Sequence, residues 1–115
     1  MDAQLKQELF ILHEQVCHAL GDPKRLMILY ALANGPRFVN DIADELEIPQ
    51  STVSRHLKIL RERALVEAAR QGPALSYTLT DESLIQTLDL LRAILRTRIE
   101  RAANVIASQP ADAGD

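Results

Sequence analysis

The chain has 115 residues, a length that suits one compact domain and is too short for two of ordinary size. Apolar residues make up 47% of it and charged residues 25%, which is typical of a globular protein with a hydrophobic core. The formal net charge of -3 argues mildly against a nucleic-acid partner, because phosphate binding depends on Lys and Arg.

The first two predicted helices are separated by a Gly-Asp-Pro interruption. From Gln4 to Leu20, apolar residues recur at spacings of three and four, which is the stripe of an amphipathic helix. Asp22 before Pro23 is typical of an N-cap with proline at the first helical position, so a second helix begins there. This helix is apolar nearly all round as far as Ala33, which predicts that it is the buried central helix.

Two shorter helices and a hairpin follow. Val39 to Leu46 has an inward-facing apolar stripe, and another helix, with Pro49 in its first turn, runs to about Arg63. The predicted core stripe of this fourth helix is Val53, Leu57, Leu60 and Ala64. Val66 to Gln71 and Leu75 to Leu79 are extended candidates joined by a Gly-Pro-Ala turn, the pattern of a β-hairpin.

A long last helix completes the pattern, with Thr80 as its predicted N-cap and Asp81 and Glu82 in its first turn. Its apolar stripe reaches about Ala107 and exceeds what one small domain can cover. The predicted fold is therefore mainly α (α+β), with five helices, a two-stranded hairpin and the order ααααββα. We expect one domain over residues 1–107 and a disordered tail over 108–115.

The segment from Asp41 to Leu60 indicates two short helices across a tight turn, an arrangement that lets the second helix enter the DNA major groove. The segment from Gln50 to Gln71 contains five basic residues and two acidic ones, so positive charge is concentrated here although the net charge of the chain is negative. Arg55 is the strongest candidate for a base contact, since Arg pairs bidentately with guanine. The predicted DNA-binding residues are Gln50, Ser51, Thr52, Ser54, Arg55, His56, Lys58, Arg70, Gln71 and Gly72. The alternative is that the polar helix face is only solvent surface.

Three stretches of the chain resemble the ArsR/SmtB family of winged helix-turn-helix repressors: LGDPKRLMIL from Leu20, QSTVSRHLKILRE from Gln50 and LSYTLTD from Leu75. The resemblance spans about Leu12 to Ala107. It implies a homodimer joined through the first and last helices, which represses by occupying double-stranded operator DNA and is released by an effector. The apolar stripes independently favour such a dimer, for which the predicted interface residues are Leu5, Leu9, Leu12, Leu88, Leu91, Leu95 and Ile99.

Most positions that carry metal ligands in that family have residues here that do not bind metals. Where one subgroup has Cys-Val-Cys, this chain has Phe38-Val39-Asn40, which offers no soft ligand. Another subgroup has Asp, His, His and Glu on the last helix, and the matching residues here are Asp81, Ser83, Ile94 and Thr97. We therefore expect no metal and no cofactor. A further departure is Ala64, which stands where the family usually has a glycine to close the recognition helix.

Cys17 and two histidines are the remaining candidates for sensing. His13 and Cys17 share a helix face at i and i+4, and His18 lies beside them, so they could supply ligands or favour a thiolate. The stronger interpretation is that Cys17 is a small buried hydrophobe. Because this is the single cysteine, an internal disulfide is excluded and a reducing compartment fits best.

Several function classes can be weighed on these residues. No nucleophile, base and orienting group can be assembled, so we expect no enzyme. No apolar run approaches the roughly 18 residues that span a bilayer, so we expect a cytoplasmic protein without membrane contact. The expected function is a sequence-specific DNA-binding repressor whose effector is unknown. The alternatives are a protein-interaction module and a metal- or thiol-responsive regulator that uses Cys17 and His13.

Overall fold

The structure, a computed structural model, describes residues 1–108. The chain forms two compact units, of which the first is Met1–Glu82 and the second begins at Ser83. Within the described residues there are five helical segments and one three-stranded antiparallel sheet. The first unit contains the sheet and four of the helical segments, and the second is a single long helix.

The first helical segment is continuous from Ala3 to Leu20 but contains a wider turn. It consists of α1 (Ala3–Leu12), a π-helical turn (His13–Cys17) and α2 (His18–Leu20). Asp2 caps its start, since its carboxylate accepts a 2.7 Å hydrogen bond from the backbone N–H of Gln4. The predicted first helix is confirmed, although nothing in the periodicity indicated the π-helical turn.

The next helix, α3 (Pro23–Ala31), begins at the predicted cap. The carboxylate of Asp22 accepts a 2.8 Å hydrogen bond from the N–H of Lys24, and Pro23 occupies the first turn. Ile28 and Leu29 are fully buried. The helix is not buried on every side, however, because Met27 is 42% exposed.

The helix pair α4 (Val39–Leu46) and α5 (Gln50–Glu62) has the predicted helix-turn-helix arrangement. Between them, Glu47 adopts a left-handed conformation with φ of 56°, and the N–H of Ile48 bonds the carbonyl of Ala43 at 3.2 Å. Pro49 precedes α5 as its N-cap residue rather than lying inside it. The two helices and α3 enclose the core, which includes Ile28, Leu29, Leu32, Ile42, Ala43, Val53, Leu57 and Leu60.

The sheet has one strand more than predicted. Its order is β1 (Arg37–Phe38), β3 (Ala74–Leu79), β2 (Val66–Gln71), with all neighbours antiparallel. A strand of only two residues shows no alternation of apolar and polar residues, so sequence periodicity does not reveal it. The β2–β3 hairpin turns through Gly72, whose φ is 62°, and Pro73, and a glycine with positive φ at the first central position is the signature of a type II′ turn.

The junction after α5 corrects two predictions. Ala64 lies outside the helix, is exposed and has φ of 59°, so it is not part of the core stripe. Thr80 does not cap the last helix. Its hydroxyl donates a 2.7 Å hydrogen bond to the carbonyl of Ala64, and its backbone N–H donates a 3.1 Å hydrogen bond to the carbonyl of Leu65. Thr80 therefore stabilises the chain reversal at the end of α5.

The second unit is α6 (Ser83–Ala107), a helix of 25 residues. It begins two residues later than the sequence suggested, so Asp81 and Glu82 precede it. At its end the N–H of Ser108 bonds the carbonyl of Asn104 at 2.9 Å. Apart from Ser108, the tail predicted over 108–115 lies outside the described residues. No helix within residues 1–108 combines the length and the apolar character needed to cross a bilayer.

Candidate nucleic-acid interface

The two faces of α5 differ sharply in burial. Val53, Leu57 and Leu60 are 0% exposed and hold the helix against α3 and α4. The opposite face carries polar side chains that lie in solvent, namely Gln50, Ser51, Ser54, Arg55 and Lys58, with Thr52 half-buried beside them. The packed face fixes the position of the polar one, as a helix that inserts into a groove requires.

The polar groups on this face are available for an outside partner. Within residues 1–108, the side chains of Ser54, Arg55 and Lys58 make no hydrogen bond and no ion pair. A cation without a carboxylate partner retains its full attraction for phosphate.

The hairpin supplies a second exposed group of the predicted residues. Arg70, Gln71 and Gly72 all lie in solvent, at the end of β2 and in its turn. Arg70 likewise has no hydrogen bond or ion pair to another described residue. Such a hairpin tip is the wing of a winged helix, which can reach the backbone or minor groove beside the recognition helix.

His56 is the one predicted DNA-binding residue that lies in the interior. His56 is only 6% exposed, and its Nδ1 lies 3.3 Å from Nη1 of Arg25. The expectation that His56 faces DNA or solvent is therefore wrong. Helical spacing placed it at the edge of the polar face, and the packing of α3 against α5 covers that edge.

Sequence patterns alone gave no role to Arg25, although the structure places it beside His56. It is 9% exposed, and its Nε donates a 2.6 Å hydrogen bond to the carbonyl of Ala19 while Nη2 donates to that of His18 at 3.3 Å. The signal was present in the sequence: Arg25 precedes Ile28 and Leu29 by three and four residues, so it lies on the buried stripe of α3. A cation there needs partners inside the protein.

Burial is the main reason why the neutral form of the His56 imidazole is favoured. Burial lowers the pKa of His56 below its usual 6.5; the carboxylate of Asp22 opposes this, and the charges of Arg25, Arg55 and Lys24 reinforce it.

Asp22, at the start of α3, titrates in the same cluster. Burial tends to raise the pKa of its carboxyl, but hydrogen bonds from the backbone N–H groups of Lys24 and Arg25, with the nearby charges of His56 and Arg25, lower it overall. Asp22 is therefore a carboxylate at neutral pH, and it acts both as the N-cap of α3 and as the single acidic neighbour among the groups that act on His56.

Two helices leave apolar side chains in solvent, and these include most of the predicted dimer-interface residues. On α1, Leu5, Leu9 and Leu12 are 42%, 43% and 44% exposed. On α6 the exposed members are Leu91, Leu95 and Ile99, at 54%, 52% and 59%. Leu88 differs from the others because it is only 5% exposed in the single chain, and so it offers no surface to a partner.

The candidate sensor residues lie at the surface. Cys17 is exposed at the end of the π-helical turn, which corrects the interpretation of it as a buried hydrophobe. His13 and His18 are exposed as well. No group of three or more His, Cys, Asp or Glu side chains with metal-binding geometry occurs among the described residues.

Comparison with known proteins agrees with this geometry. A family model described as "Bacterial regulatory protein, arsR family" matches residues 22–68, which include α3, α4 and α5. The HTH-type transcriptional regulator NmtR of Mycobacterium tuberculosis is 45% identical over 71 residues, which cover 62% of this chain and 59% of NmtR. The chain therefore spans less than two thirds of the length of that relative.

Two further comparisons cover more of the related protein. An uncharacterized HTH-type transcriptional regulator of Methanocaldococcus jannaschii is 41% identical over 67% of this chain and 88% of its own length. The solution structure of a homodimeric winged helix-turn-helix DNA-binding domain from Mycobacterium bovis, described as a possible ArsR-family regulator, superposes with a TM-score of 0.73. That likeness has 30% identity and covers 87% of this chain and 93% of the other.

Proposed function

We propose that this chain, which belongs to the ArsR family of bacterial regulatory proteins, binds double-stranded operator DNA as a homodimer and thereby represses transcription. The observation that carries the proposal is the exposed polar face of α5, whose Arg55 and Lys58 have no partner among residues 1–108. Its opposite face is locked into the core, so the helix is presented as a rigid element. A regulator of this kind works in the compartment that holds the DNA.

The residues have distinct roles in this proposal. Arg55 reads a base edge in the major groove, most simply as a bidentate contact to guanine. Lys58 and the exposed hydroxyls of Ser51 and Ser54 bind phosphate or base edges. Arg70 at the wing contacts the backbone or minor groove of the adjoining segment.

The homodimer rests on the exposed apolar stripes of α1 and α6. A helix that leaves a stripe of large apolar side chains in solvent is typical of an interface with another protein. The related Mycobacterium bovis domain is described as homodimeric, which supports a second copy of this chain as the partner. Two recognition helices about 34 Å apart would then read the two halves of an imperfect palindrome.

Selection from a random duplex pool, followed by fluorescence anisotropy on the enriched sequence, tests the proposal. Arg55→Ala should weaken binding by about 1–3 kcal/mol, or roughly five- to 150-fold, and relax the preference at one base position. Lys58→Ala should weaken all sequences alike and reduce the salt dependence, because a phosphate contact carries no sequence information.

Matched control variants distinguish the loss of a specific DNA contact from a general loss of positive charge. Arg98→Ala and Lys6→Ala remove the same charges from exposed positions on α6 and α1, and neither should change affinity by more than about twofold at a salt concentration of about 0.15 M. If no duplex is enriched even at low salt, the DNA-binding function is refuted and the protein-interaction module becomes the better account.

Release by an effector is the less constrained part of the proposal. The exposure of Cys17 favours a thiol-responsive mechanism over a purely structural role for this residue. Operator binding measured with zinc, with an oxidant and with a persulfide, on wild type and Cys17→Ala, tests it. A response that Cys17→Ala leaves unchanged excludes this cysteine as the sensor.

A further inference from the structure

The buried pair of Arg25 and His56 ties α5 to the rest of the first unit, although neither residue faces the proposed DNA. From α3, the guanidinium of Arg25 reaches two other helical segments: it donates to the carbonyls of Ala19 and His18 at 2.6 and 3.3 Å, and its Nη1 lies 3.3 Å from Nδ1 of His56. It thereby joins the end of the first helical segment, α3 and α5. His56 directly follows Arg55, the proposed base-reading residue.

The contact between the two side chains depends on the protonation state of the ring. A guanidinium has only donors, so Nδ1 of His56 must accept and the neutral ring carries its proton on Nε2. An imidazolium has N–H donors on both nitrogens, so protonation removes the acceptor. It also places two cations about one hydrogen-bond length apart in a buried site, where solvent screens them poorly.

The charged groups that act on the ring are one carboxylate, which favours protonation of His56, and several cations, which oppose it. Asp22, Lys24 and Arg25 act from the start of α3, and Arg55 acts from α5 itself. Three cations and a single carboxylate therefore act on His56. Protonation would bring a fourth cation into the same cluster.

We propose that the hydrogen bond between Arg25 and His56 is a positioning contact for α5, and that protonation of His56 breaks it and weakens DNA binding in mildly acidic solution. The inference rests on the proposed function and adds a regulatory property to it. Side chains that bind a ligand must be held within about 0.5 Å of their productive positions, so a small shift of α5 at His56 displaces Arg55 from a base edge. His56 thus acts through Arg55 rather than by touching DNA. The lowered pKa of His56 is consistent with a neutral ring at neutral pH.

The decisive experiment compares the full chain with its His56→Asn variant. An Asn side chain places an amide oxygen near the position of Nδ1, so it can accept from Arg25 but cannot titrate. Dissociation constants for the selected duplex are measured from about pH 7.5 to about pH 5.5 at constant ionic strength, a range in which His changes charge. For a one-unit pKa difference between free and DNA-bound protein, we expect the wild-type constant to rise by up to about fivefold relative to that of His56→Asn over this range, because the full tenfold is reached only well below both pKa values.

Controls and a second readout separate the positioning role from other causes. His13→Gln and His18→Gln remove exposed histidines and should keep the wild-type pH profile. If His56→Asn folds poorly, NMR titration of the His56 ring in wild type decides the matter without a variant. Linkage requires the pKa of His56 to be lower in the DNA complex than in the free protein. A pKa raised by DNA would overturn the inference.

The outcomes also distinguish this inference from the function on which it rests. Wild type that binds no duplex at any pH defeats both. Wild type that binds DNA with a pH profile identical to that of His56→Asn defeats only the role given to His56.

Discussion

Helices α5 and α6 carry apolar stripes of the same kind but bury them to very different extents. On α5, Val53 and Leu57 are 0% exposed, whereas on α6 Leu95 and Ile99 are 52% and 59% exposed. The stripe of α5 is covered inside the chain, and that of α6 leaves its apolar side chains in water. Helical periodicity therefore identifies which face is apolar, but not whether the chain itself or another molecule covers it.

The largest expected effect falls on the covered stripe. Leu57→Ala removes a fully buried side chain beneath the DNA-reading face and should lower the free energy of unfolding by about 2–5 kcal/mol at any protein concentration. Urea unfolding followed by circular dichroism measures this. Leu95→Ala is the matched control, and its cost should appear mainly as a change in the concentration dependence. Equal, concentration-independent losses for the two variants would erase the contrast between the helices.

A charge on the uncovered stripe tests what covers it. Leu95→Glu buries a carboxylate if a second copy packs there, so the dimer dissociation constant should rise by at least about a hundredfold, or about 3 kcal/mol. Sedimentation velocity over a dilution series measures this constant. Thr97→Glu adds the same charge on the far side of α6, two residues along, and should leave the dimer intact. A dimer that tolerates Leu95→Glu does not use this stripe.

The end of α5 offers a smaller, stabilising change. Ala64 has φ of 59°, a conformation that costs an L residue other than glycine about 1 kcal/mol, so Ala64→Gly should raise the free energy of unfolding by up to that amount. Ala69→Gly, in strand β2, should instead lower it by about 0.5–1 kcal/mol. Thermal unfolding of the two variants in parallel shows whether each substitution raises or lowers the stability. A destabilised Ala64→Gly would show that this backbone is not strained.

The smallest expected effect concerns Thr80, which links the end of α5 to the segment before α6. Thr80→Val removes the hydroxyl that bonds the carbonyl of Ala64 at 2.7 Å, and it should cost about 0.5–1 kcal/mol in urea unfolding. Thr80→Ser keeps a hydroxyl and should remain near wild type. If Thr80→Val instead reduces the helical content of α6, the residue caps that helix as the sequence suggested.

The helix-turn-helix region was predictable because its signals are local. The bounds of α4 and β2 agree with those expected from periodicity, and the turns near Asp22 and Gly72 are set by residues with strong conformational preferences. The strongest candidate contacts on α5 could be named because a stripe of apolar residues leaves the opposite face to solvent. The family resemblance rests on the same stretches.

The errors concern residues whose environment is made by distant parts of the chain. His56 is buried because Arg25, 31 residues earlier, lies against it. Thr80 bonds a carbonyl 16 residues before it instead of capping α6. β1 is too short to show a pattern and exists only because β3 pairs with it. In each case the partner lies far away along the chain, so patterns among neighbouring residues do not reveal it.

The amino-acid sequence by itself determined the order of the helices and of the two hairpin strands, the face of α5 that carries polar groups, and the placement of positive charge on α5 and the hairpin, because each depends on residues that are close together along the chain. Only the tertiary structure decided which polar residues point inward, as Arg25 and His56 do. The reason is that burial is a property of what packs against a side chain, and here the packing partner lies on another helix.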